Sequence, residues 1–372
     1  MLVVVLFGAT GYTGRRTAEA MVRRGLRPVL AGRSAGRLTS LAQRLAKLGF
    51  VELDVVTADI GDPASVRALI GRGDVLVSTV GPFIRLGGAA LSAAVDAGAI
   101  YLDSTGEPPF IRRVFEEFGP RAQQTGASLI TAFGHDYVPG NLAGALALGS
   151  SGSAVHRVEI GYLIDGAGRA QVISRGTFAS IVELVTEQSF TWRAGIQPEP
   201  TGSRMRTFSV SGRDCPAVSI GSTEHYSLPR LAGRAGLPEV DVYLGSFRPA
   251  ARALQLSTRL IPALLALPGA RSAVGRIGQF AAHWIAEEPD PSALARVTSH
   301  VVGTAYDAAG SALAQVTLRS GDPYQLTANL LAWGAQRAAE HGVSAPGALG
   351  PVEAFGLQAL ETGALQAGLV RV

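Results

Sequence analysis

Short apolar runs alternate with amphipathic stretches over roughly the first 140 residues of the chain. The runs predict six strands, at Leu2–Phe7, Pro28–Ala31, Val51–Thr57, Val75–Ser78, Ala99–Asp103 and Ser128–Thr131. Between the first two runs, Tyr12–Arg24 places its apolar side chains on one helical face and stops at Gly25, a favoured helix end. Strands that alternate with helices in this way are typical of a doubly wound parallel sheet.

Two further helix starts carry local signals. Ser34 is a favoured N-cap for a helix that continues to about Leu48, and Asp62-Pro63 opens a third, short helix. Both starts follow predicted strands, which strengthens the prediction of an α/β domain.

From about Ser150 the strict alternation is lost and a second domain is expected. Long strand-like stretches replace it, at Val155–Ile164, Arg204–Val210 and Ala295–Ala305. Val301–Tyr306 and Ala312–Leu318 predict an antiparallel hairpin, because the turn Asp307-Ala308-Ala309-Gly310 that joins them contains a glycine. A helix at Gly176–Phe190 is expected to cover one face of the resulting sheet. The pattern predicts an α+β domain with a mixed or antiparallel sheet.

The pattern therefore divides the chain into three parts. Residues 1–145 are expected to form a Rossmann domain, residues 146–325 a substrate or dimerisation domain, and residues 326–372 a helical segment. The helix predicted at Tyr324–Glu340 is expected to return to the first domain.

Composition narrows the chemistry. The 372 residues are 47% hydrophobic and 17% charged, which indicates a folded protein with a large core. Lys47 is the only lysine among 33 basic residues, so mechanisms that need a catalytic lysine are nearly excluded. Cys215 is the only cysteine, which excludes an internal disulfide and favours a cytoplasmic location. The arginines are scattered among acids, so no nucleic-acid partner is expected.

A glycine-rich segment follows the first predicted strand directly and opens the first predicted helix. It consists of Gly8, Ala9, Thr10, Gly11, Tyr12, Thr13 and Gly14. Its three glycines provide a tight turn, close approach of the backbone to a pyrophosphate, and close packing of helix on strand. The helix N-terminus adds N–H groups and a partial positive charge. The segment predicts a dinucleotide-binding site.

The end of the second strand selects the nicotinamide nucleotide. A carboxylate at this place accepts a hydrogen bond from the ribose 2′-OH and repels a 2′-phosphate, but this chain has Arg33 and Ser34. The planar guanidinium of Arg33 suits a phosphate, and Ser34 adds a donor. Arg37, one turn further on, is placed to assist. We therefore expect NADP(H) rather than NAD(H).

Two other segments are expected to contact this cofactor. Asp59, just past the third strand, is placed either to meet the adenine edge or to cap a helix, and both interpretations stay open. The loop after the fourth strand passes the nicotinamide ribose in sheets of this kind. Its cofactor-binding residues are expected to be Thr79, Val80, Gly81 and Pro82.

The loops after the fifth and sixth strands should border the reacting ring, because ligands of such sheets bind at the carboxyl ends of the strands. Hydride transfer needs a proton donor near the developing negative charge, and His135 and Tyr137 are both suited to that task. A structural imidazole and a pocket wall are the alternatives for these two residues. Asp103 and Asp136 are expected to hold loops or cap helices.

No metal is expected, because the six histidines and the single cysteine show no ligand spacing. The apolar region 248–284 is interrupted by Pro262 and Pro268, and its apolar run is too short to span a bilayer. We expect it to pack on the sheet or to form a homodimer interface. A lid over an apolar substrate and a membrane-touching surface are the alternatives, although membrane contact is not expected.

The segments Val5–Gly14, Ala31–Ser34 and Ser78–Phe83 together resemble the saccharopine dehydrogenase-like NADP-dependent oxidoreductases. This family also includes trans-acting enoyl reductases of actinobacterial lipid pathways. The resemblance covers roughly residues 1–145, and segments Tyr101–Glu107 and Gly347–Gly356 also fit it.

The loop after the sixth strand departs from the family pattern. Lipid-type members commonly read Gly-Phe-Asp-Ser-x-Pro-Ser-Asp in this loop. The matching positions here are Gly134, Asp136 and Pro139, and the differing ones are His135, Tyr137, Gly140 and Asn141. The differences leave the substrate open.

The resemblance implies a Rossmann domain joined to a domain with a mixed sheet, with substrate bound between them. We expect an NADPH-dependent reductase of an activated C=C bond, or of C=N or C=O, in an apolar or polyketide-like small molecule. The proton would come from His135, Tyr137 or water. A saccharopine-type imine or amino-acid dehydrogenase is an alternative, which would need arginines such as Arg175, Arg204 and Arg206 to bind a polyanion. A non-catalytic NADP(H)-binding regulator and a lipid-associated interaction protein also stay open.

Overall fold

The computed structural model describes residues 2–47, 52–152, 155–166, 188–233, 236–246 and 288–372, together with the single positions 174, 178, 284 and 286. The described strands are β1 (Val4–Phe7), β2 (Val29–Gly32), β3 (Val55–Thr57), β4 (Val75–Ser78), β5 (Ile100–Asp103), β6 (Ser128–Ile130), β7 (Arg157–Asp165), β8 (Gln188–Arg193), β9 (Ile196–Pro200), β10 (Met205–Val210), β11 (Arg213–Ser219), β12 (Glu239–Ser246), β13 (Thr298–Tyr306), β14 (Ala312–Ser320), β15 (Gly347–Ala348) and β16 (Val370–Arg371).

The described helices are α1 (Tyr12–Arg23), α2 (Ala35–Ala46), α3 (Pro63–Arg67), α4 (Phe83–Leu86), α5 (Gly88–Ala97), α6 (Pro108–Arg113), α7 (Gly119–Thr125), α8 (Val138–Ser150), α9 (Glu224–Leu231), α10 (Pro291–Leu294), α11 (Pro323–His341), α12 (Pro351–Phe355) and α13 (Leu357–Ala367). A π-helical turn, Val114–Phe118, lies between α6 and α7. None of the helices in these described ranges is long and apolar enough to cross a membrane.

The chain forms two compact units. The first comprises residues 1–106, 110–138 and 323–368, and the second comprises residues 107–109, 139–322 and 369–372. Each unit is built on its own sheet.

The sheet of the first unit is parallel and has the order β15-β6-β5-β4-β1-β2-β3. Every residue of β1, β4 and β5 is buried, as expected for strands whose two faces are both covered. The strand order reverses between β1 and β4, which is the place where doubly wound sheets bind ligands. The predicted Rossmann-type sheet is confirmed.

Two helix starts in this unit follow the predicted signals. The Ser34 side chain accepts a hydrogen bond from the N–H of Arg37 at the start of α2. Asp62 caps α3 by accepting from the N–H groups of Ala64 and Ser65, and Pro63 occupies the first turn. These caps satisfy N–H groups that the helix cannot pair internally.

Helix α11 completes the first unit by packing on α1 and on strands β4 and β5. The ring of Trp333 on α11 is nearly parallel to that of Phe133, with centroids 6.3 Å apart, and Phe355 meets both rings edge-on. The predicted return of the C-terminal helix to the first domain is confirmed.

The second unit contains a mixed sheet in the order β10-β11-β12-β7-β13-β14-β16, with β8 paired to β12 and β9. Among its described strand pairs only β12 and β7 are parallel. The predicted hairpin is present as β13 and β14, and Gly310 in its turn has a φ of 84°. A mixed second sheet is therefore confirmed.

The two faces of this second sheet carry different residues. Helices α8 and α9 cover one face, where Gly144 is so close to Leu228 and Ile160 that a Cβ would lie 2.7 Å and 3.2 Å from them. The opposite face carries an apolar cluster of Leu163, Phe208, Val210, Cys215, Ala217, Tyr243 and Val302.

Of three expectations for the second unit, two need correction and one concerns residues that lie almost entirely outside the described ranges. The helix predicted at 176–190 is wrong at its end, because Gln188–Phe190 belong to β8, which pairs with β9; residues 175–177 and 179–187 lie outside the described residues. The strand predicted from Ala295 begins at Thr298, since Ala295 ends α10. The apolar region 248–284 lies outside the described residues except for Trp284, which is 80% exposed.

Candidate functional site

The glycine-rich segment forms a close-packed turn at the carboxyl end of β1. Gly8 has a φ of 87°, and a Cβ there would lie 2.8 Å from Oγ1 of Thr79. A Cβ on Gly14 would lie 2.2 Å from the carbonyl oxygen of Gly8, which leaves no room for any side chain. The N–H groups of Gly8 and Ala9 donate to the carbonyl of Ala31, which ties the turn to the end of β2. Only glycine fits these two positions.

The start of α1 presents donors at the same edge of the sheet. Gly11 is its N-cap and provides no side-chain cap. The N–H groups of the first helical turn, with the positive end of the helix dipole, are therefore suited to an anion. Together with the close-packed glycines, this geometry fits the diphosphate of a dinucleotide.

A basic cavity of about 290 Å³ lies beside this turn, between α1 and α2. It is lined by Thr10, Arg15, Gly36, Arg37, Ser40, Leu41 and Arg44. The guanidinium groups of Arg15 and Arg37 donate to the carbonyl oxygen of Thr10 over 2.7 Å and 3.1 Å. No carboxylate occurs among these described lining residues, so the cavity has a positive potential suited to phosphate.

Arg33 lies at the carboxyl end of β2 as predicted, and its side chain is exposed. Within the ranges that the structure describes, its guanidinium forms no hydrogen bond or ion pair. Sequence reasoning missed Arg15 and Arg44 in the neighbouring cavity. Arg15 directly follows the last glycine of the motif, and Arg44 lies two helical turns after Arg37, so both signals were present in the sequence.

The loop after β4 packs against the glycine turn. Thr79 donates through its backbone N–H to the carbonyl of Phe7 over 2.9 Å, and its hydroxyl lies 3.2 Å from the carbonyl of Gly8. Val80 also lies close to Gly8: a Cβ on Gly8 would be 2.8 Å from a methyl group of Val80. Pro82 is the N-cap of α4. The structure thus brings this loop to the same edge as the glycine turn.

Asp59 closes a turn rather than capping a helix. Its carboxylate accepts from the N–H of Gly61 over 2.7 Å, whereas the cap of α3 is Asp62. The helix-cap interpretation of Asp59 is therefore wrong. Contact with an adenine edge stays a prediction.

Asp103 holds the loops after β5 and β6 together. Its buried carboxylate accepts hydrogen bonds from the N–H of Thr105 (2.9 Å), the N–H of Ala132 (2.9 Å) and the hydroxyl of Thr131 (2.7 Å). Burial raises the pKa of Asp103 to about 6, against the opposing effect of these donors. The expectation that Asp103 holds a loop is confirmed.

His135 and Tyr137 lie in the loop after β6 and are both buried. The Nδ1 atom of His135 is 2.9 Å from Oδ1 of Asp136, whose side chain is 44% exposed. The Tyr137 hydroxyl donates to the carbonyl of Gly106 over 3.3 Å. Both residues therefore have structural contacts, and their roles as proton donors stay predictions.

The sheet order explains which residues come together. Parallel strands place the glycine turn, Thr79 and the loops after β5 and β6 at one edge, while Asp59 follows the outermost strand β3. The described residues contain no group of three or more histidine, cysteine, aspartate or glutamate side chains that fits a metal ion.

The candidate substrate-binding arginines of the second unit are paired internally. Arg204 forms a two-bond pair with Glu199, at 2.6 Å and 3.0 Å, and also pairs with Asp241. Arg206 pairs with Glu159 over 3.1 Å. Arg175 lies outside the described residues.

A buried polar network connects α8, α9 and β7 in this unit. The Tyr162 hydroxyl donates to Glu224 over 2.6 Å and accepts from the N–H of Gly140 over 2.8 Å. Asn141 donates to Thr223 over 2.9 Å, and Thr223 donates to Glu224 over 3.3 Å. Burial raises the pKa of Glu224 to about 7. Sequence reasoning did not identify this network.

The N-terminal part of the chain is similar to known proteins. Residues 4–130 match the family described as the saccharopine dehydrogenase NADP binding domain. A trans-acting enoyl reductase of Mycobacterium tuberculosis is 37% identical over 141 residues, and one of Mycobacterium ulcerans is 36% identical over 141 residues. Each alignment covers 37% of this chain and 34% of the relative, so the chain matches about a third of the length of these relatives.

The whole fold also has a counterpart among solved structures. Apo saccharopine dehydrogenase (L-Glu forming) from Saccharomyces cerevisiae aligns over 100% of this chain and 99% of its own, with a TM-score of 0.60 and 10% identity. At that identity the likeness shows a shared fold alone.

Proposed function

We propose, on the premise that residues 4–130 belong to the saccharopine dehydrogenase NADP-binding domain family, that the chain is an NADPH-dependent reductase. Its substrate would be an apolar or polyketide-like small molecule with an activated C=C bond, or with C=N or C=O. The observation that carries the proposal is the glycine turn, where Gly8 and Gly14 leave no space for a Cβ beside an uncapped helix start. These contacts are the tight turn and the close helix–strand packing that characterise dinucleotide-binding domains, in which the pyrophosphate lies at the helix start.

The choice of NADP(H) over NAD(H) rests on charge. Arg33 occupies the place where NAD-binding domains carry a carboxylate, and the adjoining cavity adds Arg15, Arg37 and Arg44. A guanidinium pairs with a 2′-phosphate through two parallel hydrogen bonds. In this proposal Arg33 and Ser34 bind the phosphate, while Thr79 and Val80 hold the loop that faces the nicotinamide ribose.

His135 is the favoured proton donor. Bound NADPH would supply the hydride that the β-carbon of the activated double bond requires. The electron pair displaced onto the α-carbon then takes a proton from the imidazolium of His135, which becomes neutral. Tyr137 is less suited, because its buried hydroxyl already donates to the carbonyl of Gly106.

Two observations favour a carbon–carbon double bond in a substrate of low charge. The mycobacterial relatives are named trans-acting enoyl reductases. In addition, Arg204 and Arg206 are engaged with Glu199, Asp241 and Glu159, so binding a polyanion with them would first require breaking these pairs.

The test is NADPH oxidation by the purified chain with two substrate classes, an enoyl thioester and a keto acid supplied with an amine. We expect turnover with the enoyl thioester. His135→Gln should lower kcat roughly 100-fold with NADPH binding retained, while the matched variant Tyr137→Phe should keep most activity.

Two results would replace the proposal. Turnover with the keto acid and amine alone would favour the saccharopine-type alternative. Tight NADPH binding without oxidation by either class, and without any effect of the His135 and Tyr137 variants, would favour a non-catalytic regulator.

A further inference from the structure

The loop after β6 is bonded to Asp103 near its start and is closed by hydrogen bonds between its own residues. Ala132 donates through its N–H to Asp103 over 2.9 Å, and Tyr137 donates through its N–H to the carbonyl of Ala132 over 2.7 Å. Val138 then bonds back to Gly134 over 3.1 Å. The middle of the loop, where His135 and Asp136 lie, is therefore bracketed by hydrogen-bonded residues on both sides.

Thr327 on α11 holds the main chain of that middle part. Its hydroxyl oxygen accepts a hydrogen bond from the N–H of His135 over 3.0 Å and donates to the carbonyl of Pro323 over 2.8 Å. A Cβ on Gly134 would lie 2.8 Å from the Thr327 methyl group, so the loop after β6 and α11 are in close contact here. Thr327, which lies 192 residues further along the chain, thus fixes the position of the His135 backbone amide.

Asp136 holds the imidazole ring itself. Its Oδ1 atom is 2.9 Å from Nδ1 of His135, and its Oδ2 atom lies against Gly106, 3.0 Å from where a Cβ would be. A larger residue at 106 would displace the carboxylate. A carboxylate on one ring nitrogen of a histidine sets which nitrogen carries the proton.

We propose that Thr327 and Asp136 are positioning residues for His135 in the reduction. Thr327 sets the main chain, and Asp136 keeps a proton on Nδ1, so that Nε2 is the nitrogen that transfers the proton to the substrate carbon. The inference rests on the proposed function, in which His135 is the proton donor. A carboxylate that accepts from Nδ1 also stabilises the imidazolium before it gives up its proton.

The first measurement is NMR of the full chain labelled with ¹⁵N-histidine, with the His135 signals assigned from His135→Gln. In the wild type at a pH where the ring is neutral, the proton should reside on Nδ1. Asp136→Ala should move it to Nε2. The matched control Asp96→Ala removes an exposed carboxylate of the same unit that pairs with Arg121, and should leave the His135 signals unchanged.

The second measurement is hydrogen exchange at the His135 amide. Thr327→Val removes the acceptor and should speed exchange at least tenfold, and Thr327→Ser should restore the wild-type rate. Thr362 is a matched control, since its hydroxyl also donates to the carbonyl four residues earlier, that of Gln358, over 3.0 Å. Thr362→Val should leave the exchange at His135 unchanged.

With a reducible enoyl thioester, Asp136→Ala and Thr327→Val should lower kcat by about tenfold or more at a similar KM. An unchanged His135 tautomer in Asp136→Ala, or unchanged exchange in Thr327→Val, would overturn the inference. Failure of the wild type to bind NADPH would instead overturn the proposed function, because the tautomer and exchange measurements need no cofactor.

Discussion

The arginines beside the glycine turn of the first unit and the two candidate arginines of the second unit have different surroundings. In the first unit Arg33 is exposed and forms no ion pair with the described residues, and three more arginines line a cavity without a carboxylate. In the second unit Arg204 and Arg206 are matched by Glu199, Asp241 and Glu159. An exposed guanidinium without an ion pair, such as that of Arg33, is available to a ligand, whereas partly buried guanidinium groups need partners to offset their desolvation. The comparison supports the proposal that the phosphate of the cofactor binds in the first unit.

The close packing at Gly14 provides the largest expected effect. Gly14→Ala places a methyl group 2.2 Å from the carbonyl of Gly8, so the turn must move and NADPH affinity should fall by about 100-fold or more. Gly149→Ala in the second unit is the matched control, because no atom lies within 4 Å of a Cβ there. Fluorescence titration with NADPH measures both, and comparable losses in the two variants would contradict the assignment.

The buried network of the second unit should affect stability instead. Glu224→Leu leaves the hydroxyls of Tyr162 and Thr223 without their acceptor and should lower the free energy of unfolding by about 3 kcal/mol. Urea unfolding measures this loss. NADPH affinity of the folded variant should stay within about twofold, and a larger change would show that the units are not independent in this respect.

Asp103 gives a pH-dependent test within the first unit. Its pKa is raised from 3.8 to about 6, so the folded chain binds this proton more tightly than the unfolded chain. The group's contribution to the free energy of unfolding therefore rises as pH falls from about 6 to about 4, by up to about 3 kcal/mol. Asp103→Asn keeps the shape and removes this titration.

The effect of Asp103 is isolated by the difference in the free energy of unfolding between the wild type and Asp103→Asn, measured across pH 4–7. The raised pKa of Glu224 also makes its contribution to the free energy of unfolding rise as pH falls. Burial lowers the pKa of His225 to about 4, so the contribution of His225 decreases as pH falls. Both groups are present in the two proteins compared, so they cancel. A difference in the free energy of unfolding that does not vary with pH would contradict the raised pKa of Asp103.

The sequence allowed prediction of the parts of the fold that depend on neighbouring residues. The Ser34 cap and the start of α3 at Asp62-Pro63 each rest on contacts within a few positions, and Gly14 is required by its contact with Gly8, six positions earlier. The same holds for the β13–β14 hairpin, whose turn is set by Gly310. Local chemistry determines these elements.

Contacts between distant residues could not be predicted. Arg204 is matched by Asp241, which lies 37 positions away, and Thr327 reaches His135 across 192 positions. Neither pairing leaves a periodic or local signal in the chain. The end of the helix predicted at 176–190 failed for a similar reason, since pairing with β9 places Gln188–Phe190 in a strand.

The most direct test of the central claim measures Kd for NADPH and NADH with the wild type and Arg33→Asp. We expect the wild type to prefer NADPH. The substitution should weaken NADPH binding by about 30-fold through loss of a charge-assisted pair and leave NADH binding little changed. Arg23→Asp, an equal charge change at an exposed arginine of the same unit, is the control. Unchanged NADPH affinity in Arg33→Asp would contradict the assignment of Arg33 to the 2′-phosphate.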